Sequence, residues 1–260
     1  MGTLILTSAA LVVTVAAAFV SFEVLEVQSQ MAEYENAKVA LLGMAELIEG
    51  LSQSEGSAGY GRMYVRAGGL DIVNDQVAFT LRVGGWTAID ALPFVTMRFR
   101  AGRLVGGLDF SVLRGDTGST PQGTLVVPPS LPGVPLGWVY VQRQEGARVL
   151  VDFGRVRVNI IGTYNLSTGT GWEPTNVVEI VFIRLKQGPT YGRDVFDVRA
   201  QNKRITLTSN KLPGYSFEIL AARGSDSQTY DLVCPDSLNG VPVTSTVFNV
   251  VVAEVEVGTQ

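Results

Sequence analysis

The sequence predicts an α+β chain in which one long N-terminal helix, a stalk, precedes an antiparallel all-β domain of the sandwich or jelly-roll kind. Three observations predict it. Thr3 to Phe22 are twenty consecutive residues without a charge. A four-and-three apolar spacing then carries on to Ile48, and beyond Tyr60 the apolar period changes from helical to alternating.

The uncharged run is dominated by Leu, Ile, Val and Ala, with Thr7, Ser8, Thr14 and Ser21 its polar interruptions after Thr3. Wound into a helix at about 1.5 Å per residue it is roughly 30 Å long, the thickness of a bilayer's hydrocarbon core. Val13, Ala17, Val20, Val24, Val27, Met31, Tyr34, Lys38, Leu41, Ala45 and Ile48 form an a/d-type seam, apolar except at Lys38. Glu23, Glu26, Glu33, Glu35, Glu46 and Glu49 lie off that seam. The Pro-free stretch stops at Gly50 and the Gly56-Ser57-Ala58-Gly59 segment, so the expected rod runs from Leu4 to about Leu51 and is roughly 70 Å long. A domain of this size has a radius of gyration under about 20 Å, so most of the rod is expected to need partners outside its own chain. The glutamates and the seam together predict that its second half packs on neighbouring helices outside the bilayer. Ala9, Ala10, Ala16, Ala17 and Ala18 permit close helix approach.

The expected organisation is a helix over residues 1–52, a Gly/Ser hinge over 53–61 and a β domain over 62–260. Predicted strands are Arg62 to Ala67, Gln76 to Val83, Val95 to Arg100, Gly123 to Val127, Trp138 to Arg143 and Arg148 to Phe153. Val156 to Ile161, Val177 to Leu185, Val195 to Arg199, Arg204 to Thr208, Ser216 to Ala221 and Thr246 to Val257 complete the set. With no helix between them, these strands predict antiparallel pairing instead of βαβ units. The five prolines between Thr120 and Gly137 place a subdomain join or an exposed loop at 120–137. The final strand is long and rich in β-branched residues, which places it centrally in a sheet or against another subunit.

Several functions are excluded by what the chain lacks. A net charge of -4 with no long Lys/Arg cluster leaves no footprint for a phosphate backbone, so nucleic acid is not an expected partner. Without any histidine, the usual neutral-pH general base and the commonest nitrogen ligand are missing. Cys234 is the sole cysteine and reads as a small apolar side chain near a turn. Asp116-Thr117-Gly118-Ser119-Thr120 matches the aspartic-protease signature, yet it has no second copy and no apolar strand leading into it. Gly56, Gly59 and Gly61 follow a helix, the reverse of the order a phosphate cradle needs. Asp71, Asp75, Asp226, Asp231 and Asp236 lack the spacing of a calcium loop. No catalytic residue, cofactor site or metal site is expected, and the chain reads as no enzyme. Asn165-Leu166-Ser167 is an N-glycosylation sequon, which makes Asn165 a candidate acceptor.

The opening Gly2-Thr3-Leu4-Ile5-Leu6, followed by Ala- and Val-rich residues, resembles the processed N-terminus of archaeal type IV pilin-like proteins. The likeness covers residues 1–51, and the strand Val178-Glu179-Ile180-Val181-Phe182-Ile183-Arg184-Leu185 is similar to pilins of thermophilic crenarchaea. Bacterial pilins carry a glutamate where Ile5 stands, which favours the archaeal branch. The resemblance implies a leader removed by a prepilin peptidase, and the absence of Lys and Arg before Lys38 fits a basic leader already cut away. It further implies subunits held in the cytoplasmic membrane, then extruded by an assembly ATPase and platform protein into an extracellular homopolymer. Helix–helix assembly is then expected through Leu4, Ile5, Val13, Ala17, Val20, Val24, Val27, Met31, Tyr34, Leu41, Ala45 and Ile48. An adhesive pilus subunit is the first expectation and an archaellum subunit for motility the second. The competing reading outside that family is a single-span, membrane-anchored β-domain receptor or adhesin.

Overall fold

A computed structural model describes the chain except residues 1, 75–76, 107–108, 117–123, 145, 168–170, 191–194 and 260, and describes side chains from residue 10 onward. The helix α1 spans Gly2–Leu51. It is free of proline throughout, and its last carbonyl is capped from outside: Asn202 Nδ2 and Ser57 Oγ both donate to Leu51 O, at 2.9 Å each. A turn with Gly56 at φ +80° then reverses the chain into the first strand.

The strands in chain order are β1 (Ala58–Tyr64), β2 (Gly69–Val73), β3 (Ala78–Val83), β4 (Trp86–Pro93), β5 (Thr96–Arg100) and β6 (Phe110–Arg114). Then come β7 (Val126–Val127), β8 (Trp138–Arg143), β9 (Ala147–Asp152), β10 (Val156–Ser167), β11 (Trp172–Thr190) and β12 (Val195–Pro213). The last five are β13 (Ser216–Arg223), β14 (Asp226–Val233), β15 (Ser237–Leu238), β16 (Val241–Pro242) and β17 (Ser245–Thr259). They build a six-stranded sheet in the order β1-β12-β17-β11-β10-β7, a four-stranded sheet β14-β13-β3-β4, a five-stranded sheet β2-β5-β9-β8-β6 and the pair β15-β16. The class is therefore α+β with mostly antiparallel pairing. Two pairings depart from the antiparallel expectation: β11 with β17, and β7 with β10, are parallel.

The six-stranded sheet is the backbone of the domain because β11, β12 and β17 are long enough to serve two cores. Successive side chains on a strand point to opposite faces. Val178, Ile180 and Phe182 on β11, with Phe248 and Val250 on β17, pack against Phe79, Leu81, Phe217 and Ile219 of the four-stranded sheet. Further along the same strands, Ile183, Leu185, Val255 and Val257 belong to the alternate set and pack on the other side with α1 and the five-stranded sheet. One sheet is thus covered on opposite faces at its two ends.

The sequence pattern missed β2, β4, β6, β14, β15 and β16, which are short or carry polar residues on alternate positions. It split β12 in two, because a register shift between Asn202 and Arg204 interrupts the alternation while the pairing with β17 continues. The final strand does lie centrally, between β12 and β11. The segment assigned to a hinge is strand from Ala58 onward, and its glycines serve packing. A Cβ on Gly59 would come within 2.7 Å of Leu47, and one on Gly61 within 3.0 Å of Met44 Sδ, so α1 lies directly on β1. Part of the proline-rich join, residues 120–123, lies outside the described residues.

Candidate assembly and membrane surface

The helix divides into two halves with different surroundings. From Gln30 to Leu51 one side is part of the core: Tyr34, Ala37, Leu41, Met44, Ala45, Ile48 and Leu51 are buried against β1, β8, β9 and the ends of β11, β12 and β17. Polar clamps run along the same stretch. Gln30 Oε1 accepts the Leu104 amide at 3.0 Å, and the Glu33 carboxylate accepts the Ala67 and Gly68 amides at 3.0 and 2.9 Å. Glu49 takes two hydrogen bonds from the Arg114 guanidinium, at 3.2 and 2.9 Å, and the Gly137 amide at 2.6 Å. The pair is mostly shielded, with 15% and 23% of the Arg114 and Glu49 side chains exposed. Several partners on each carboxylate are what makes a shielded ion pair favourable.

The half before Gln30 has no such cover. Leu11, Val12, Val13, Val15, Phe19, Val20, Phe22, Val24, Leu25 and Val27 are all exposed, Phe19 and Phe22 by 71% and 74%, and so is Met31 just past Gln30. These positions fall on every side of the helix, the pattern of a rod that is surrounded. The described helix holds a stretch of mean hydropathy 2.1, none of it buried, so it is long and apolar enough to cross a membrane. Two of its described hydroxyls are satisfied within the helix: Thr14 Oγ1 donates to Ala10 O and Ser21 Oγ to Ala17 O, each at 2.8 Å. They would enter an apolar environment without an unpaired donor. Covering the eleven exposed side chains is worth on the order of 15–30 kcal/mol, more than the roughly 5–15 kcal/mol net stability of an ordinary domain.

The expected assembly seam is accordingly split. Val13, Ala17, Val20, Val24, Val27 and Met31 are exposed and available. Tyr34, Leu41, Ala45 and Ile48 are not: they are 4%, 0%, 0% and 0% exposed, spent on the chain's own core. The expectation that the second half packs on neighbouring helices is corrected for these four residues, since a side chain buried by its own sheet has no face left for another subunit. Lys38, the break in the seam, sits with its ammonium 4.4 Å from the Tyr34 ring centre and 2.7 Å from Glu35 Oε1. The side chains of Leu4 and Ile5 lie outside the described residues.

Sequence reasoning did not find the clamp residues Gln30, Arg114 and Asn202. The signal for two of the carboxylate clamps was present, since Glu33 and Glu49 stood among the off-seam glutamates. Asn165 is exposed near the end of β10, as an acceptor must be. Asp116 lies just after β6, while Thr117 to Thr120 and Asp75 are outside the described residues. Asp71 is paired with Arg100 at 2.9 Å. Among the described residues no three His, Cys, Asp or Glu side chains stand close enough to hold a metal ion. Cys234 is buried, and that burial pushes its thiol up to about 11. No family model, no curated protein and no solved structure matches the chain.

Proposed function

We propose that the chain is the structural subunit of an extracellular helical filament of the type IV pilus kind. The projecting half of α1 forms the polymer core, and the β domain, a set of packed sheets, faces outward for adhesion. Before assembly that half-helix sits in the cytoplasmic membrane, and the resemblance of the N-terminus supplies the processing peptidase, assembly ATPase and platform protein. The homopolymer is the partner that the exposed apolar rod calls for.

One observation favours a polymer over a lone membrane anchor. The uncharged run that matches a bilayer ends at Phe22, and Glu23 follows. Apolar exposure continues past it at Val24, Leu25, Val27, Met31 and Val39, the last 70% exposed. Lipid covers the first stretch but leaves these residues in water between membrane and head, whereas neighbouring helices cover both. The single-span receptor or adhesin is the second reading, supported by the match of the uncharged run to one bilayer thickness.

The test uses Val20→Cys in the full-length chain, with buried Cys234 as a silent background, reconstituted by slow detergent removal. A filament subunit gives rods in the electron microscope and a ladder of bismaleimide-linked oligomers. Dispersed single heads on vesicles with no ladder would overturn the polymer in favour of the anchor.

A further inference from the structure

One stretch of the six-stranded sheet has an uncovered face. Pairing sets Tyr60 opposite Arg199, Arg62 opposite Asp197 and Tyr64 opposite Val195. It then sets Gln201 opposite Glu256, Arg204 opposite Glu254, and those glutamates beside Lys186 and Arg184. Opposed residues share a face. The residues that alternate with them, Ala200, Val255 and Val257, are buried in the core with α1, so this set stands on the other side, toward solvent.

The face is basic within an acidic protein. Arg62, Lys186, Arg199, Lys203 and Arg204 outnumber Asp197, Glu254 and Glu256, on a chain of net charge -4. The carboxylates are engaged: Asp197 by Arg62 at 2.9 Å, Glu254 by Arg184 and Lys186 at 2.5 and 3.3 Å, and Glu256 by Lys203 at 3.3 Å. Arg199 reaches an amide oxygen, Gln201 Oε1, at 3.4 Å. Along the edge strand stand two rings on the same side, Tyr60 and Tyr64, 72% and 65% exposed. Beside Tyr60 the surface is concave: a cleft of about 260 Å³ at Tyr60, Asp197 and Arg199 meets another of about 210 Å³ that runs from Arg199 to Lys203 and Glu256, and Tyr64 stands beyond the first, opposite Val195. Exposed aromatics beside a furrow are the usual marks of a binding surface.

We infer that this furrow binds an acidic polysaccharide, a polyuronate. Its sugar rings stack on Tyr60 and Tyr64 while its carboxylates meet Arg199, Lys203 and Arg204. The resident acids decide the ligand class. Asp197 and Glu256 accept hydrogen bonds from the free hydroxyls that every uronate ring carries and that the deoxyribose of a DNA chain lacks. This goes beyond the filament reading and does not depend on it.

The experiment titrates the full-length chain, held as single subunits in detergent, with polygalacturonate, with neutral dextran and with single-stranded DNA. Polygalacturonate binds, dextran does not, and DNA is weaker. Arg199→Glu with Lys203→Glu lowers polygalacturonate affinity roughly tenfold. Tyr60→Ala with Tyr64→Ala lowers it about threefold, and that loss persists in high salt because stacking is not screened. Every substituted side chain is at the surface, so unchanged melting temperatures check that the fold is intact. No binding of polygalacturonate, tighter binding of DNA, or indifference to the tyrosine substitutions overturns the proposal. Because the subunits are kept unassembled, any of those results leaves the filament reading standing.

Discussion

The two halves of α1 carry the same four-and-three apolar spacing and meet different fates. Leu41, Ala45 and Ile48 are wholly buried by the chain's own sheets, while Val13, Val20 and Val24 project beyond the head with nothing of the chain against them. The difference between them lies in the polar residues around the seam. In the docked half, glutamates reach backbone amides of the head, as Glu33 does at Ala67 and Gly68. In the projecting half there is no charge from Thr3 to Phe22, and the hydroxyls of Thr14 and Ser21 turn back onto the helix. A heptad-like pattern therefore states that a helix face will be covered, and the flanking polar groups state by what.

A matched pair of substitutions gives the largest effect with which to break this comparison. Ile48→Asp places an unpaired carboxylate in the core and is expected to unfold the head, at a cost of more than about 3 kcal/mol. Val20→Asp leaves the head's urea midpoint unchanged and removes membrane insertion and polymer formation instead. If both substitutions shifted the midpoint equally, the two halves would not be distinct.

A smaller effect separates the glutamates. Glu49→Gln keeps the shape but removes the charge that holds Arg114 and the Gly137 amide, and should cost about 1.5–3 kcal/mol in denaturant unfolding. Glu23→Gln, on an exposed side chain, should stay within about 0.5 kcal/mol.

The smallest effect sets the exposed side of the docked half against the core of the four-stranded sheet, in which Cys234 is buried. A thiol at Val39→Cys should react with a maleimide at least about a hundredfold faster than native Cys234, which is buried and held in its neutral form. The same shift gives a pH dependence. The folded thiol's pKa is raised to about 11 from 9.0, so the unfolded chain ionises first. The contribution to stability is whole below pH 9 and is lost as pH climbs toward 11, which Cys234→Ser should flatten in pH-dependent melting.

The class of the chain was legible in its residues because periodicity records exposure directly. A period near 3.6 named the helix, a period of two named strands such as Val177 to Leu185, and the absence of histidine argued against most catalytic readings before any fold was known. Six strands were not legible. β14, Asp226–Val233, buries Leu232 and leaves most of its residues half-exposed or exposed, so its composition is that of a loop. Gly59 and Gly61 looked like a hinge because glycine reads alike in a flexible link and in a strand pressed against a helix, and only the neighbours Leu47 and Met44 tell them apart. The clamps were hidden for a related reason: Glu49 meets Arg114 across 65 residues and Asn202 meets Leu51 across 151, distances over which no local pattern reaches.

By itself the sequence determined that a 50-residue apolar helix would form and that something must cover it, since helix propensity and hydrophobic period are local properties of the chain. Tertiary structure alone decided where its own cover stops, near Gln30. That boundary lies where the loops after β1 and β5 bring Ala67, Gly68 and Leu104 to Glu33 and Gln30, and those loops are placed by strand pairing between residues far apart in the chain.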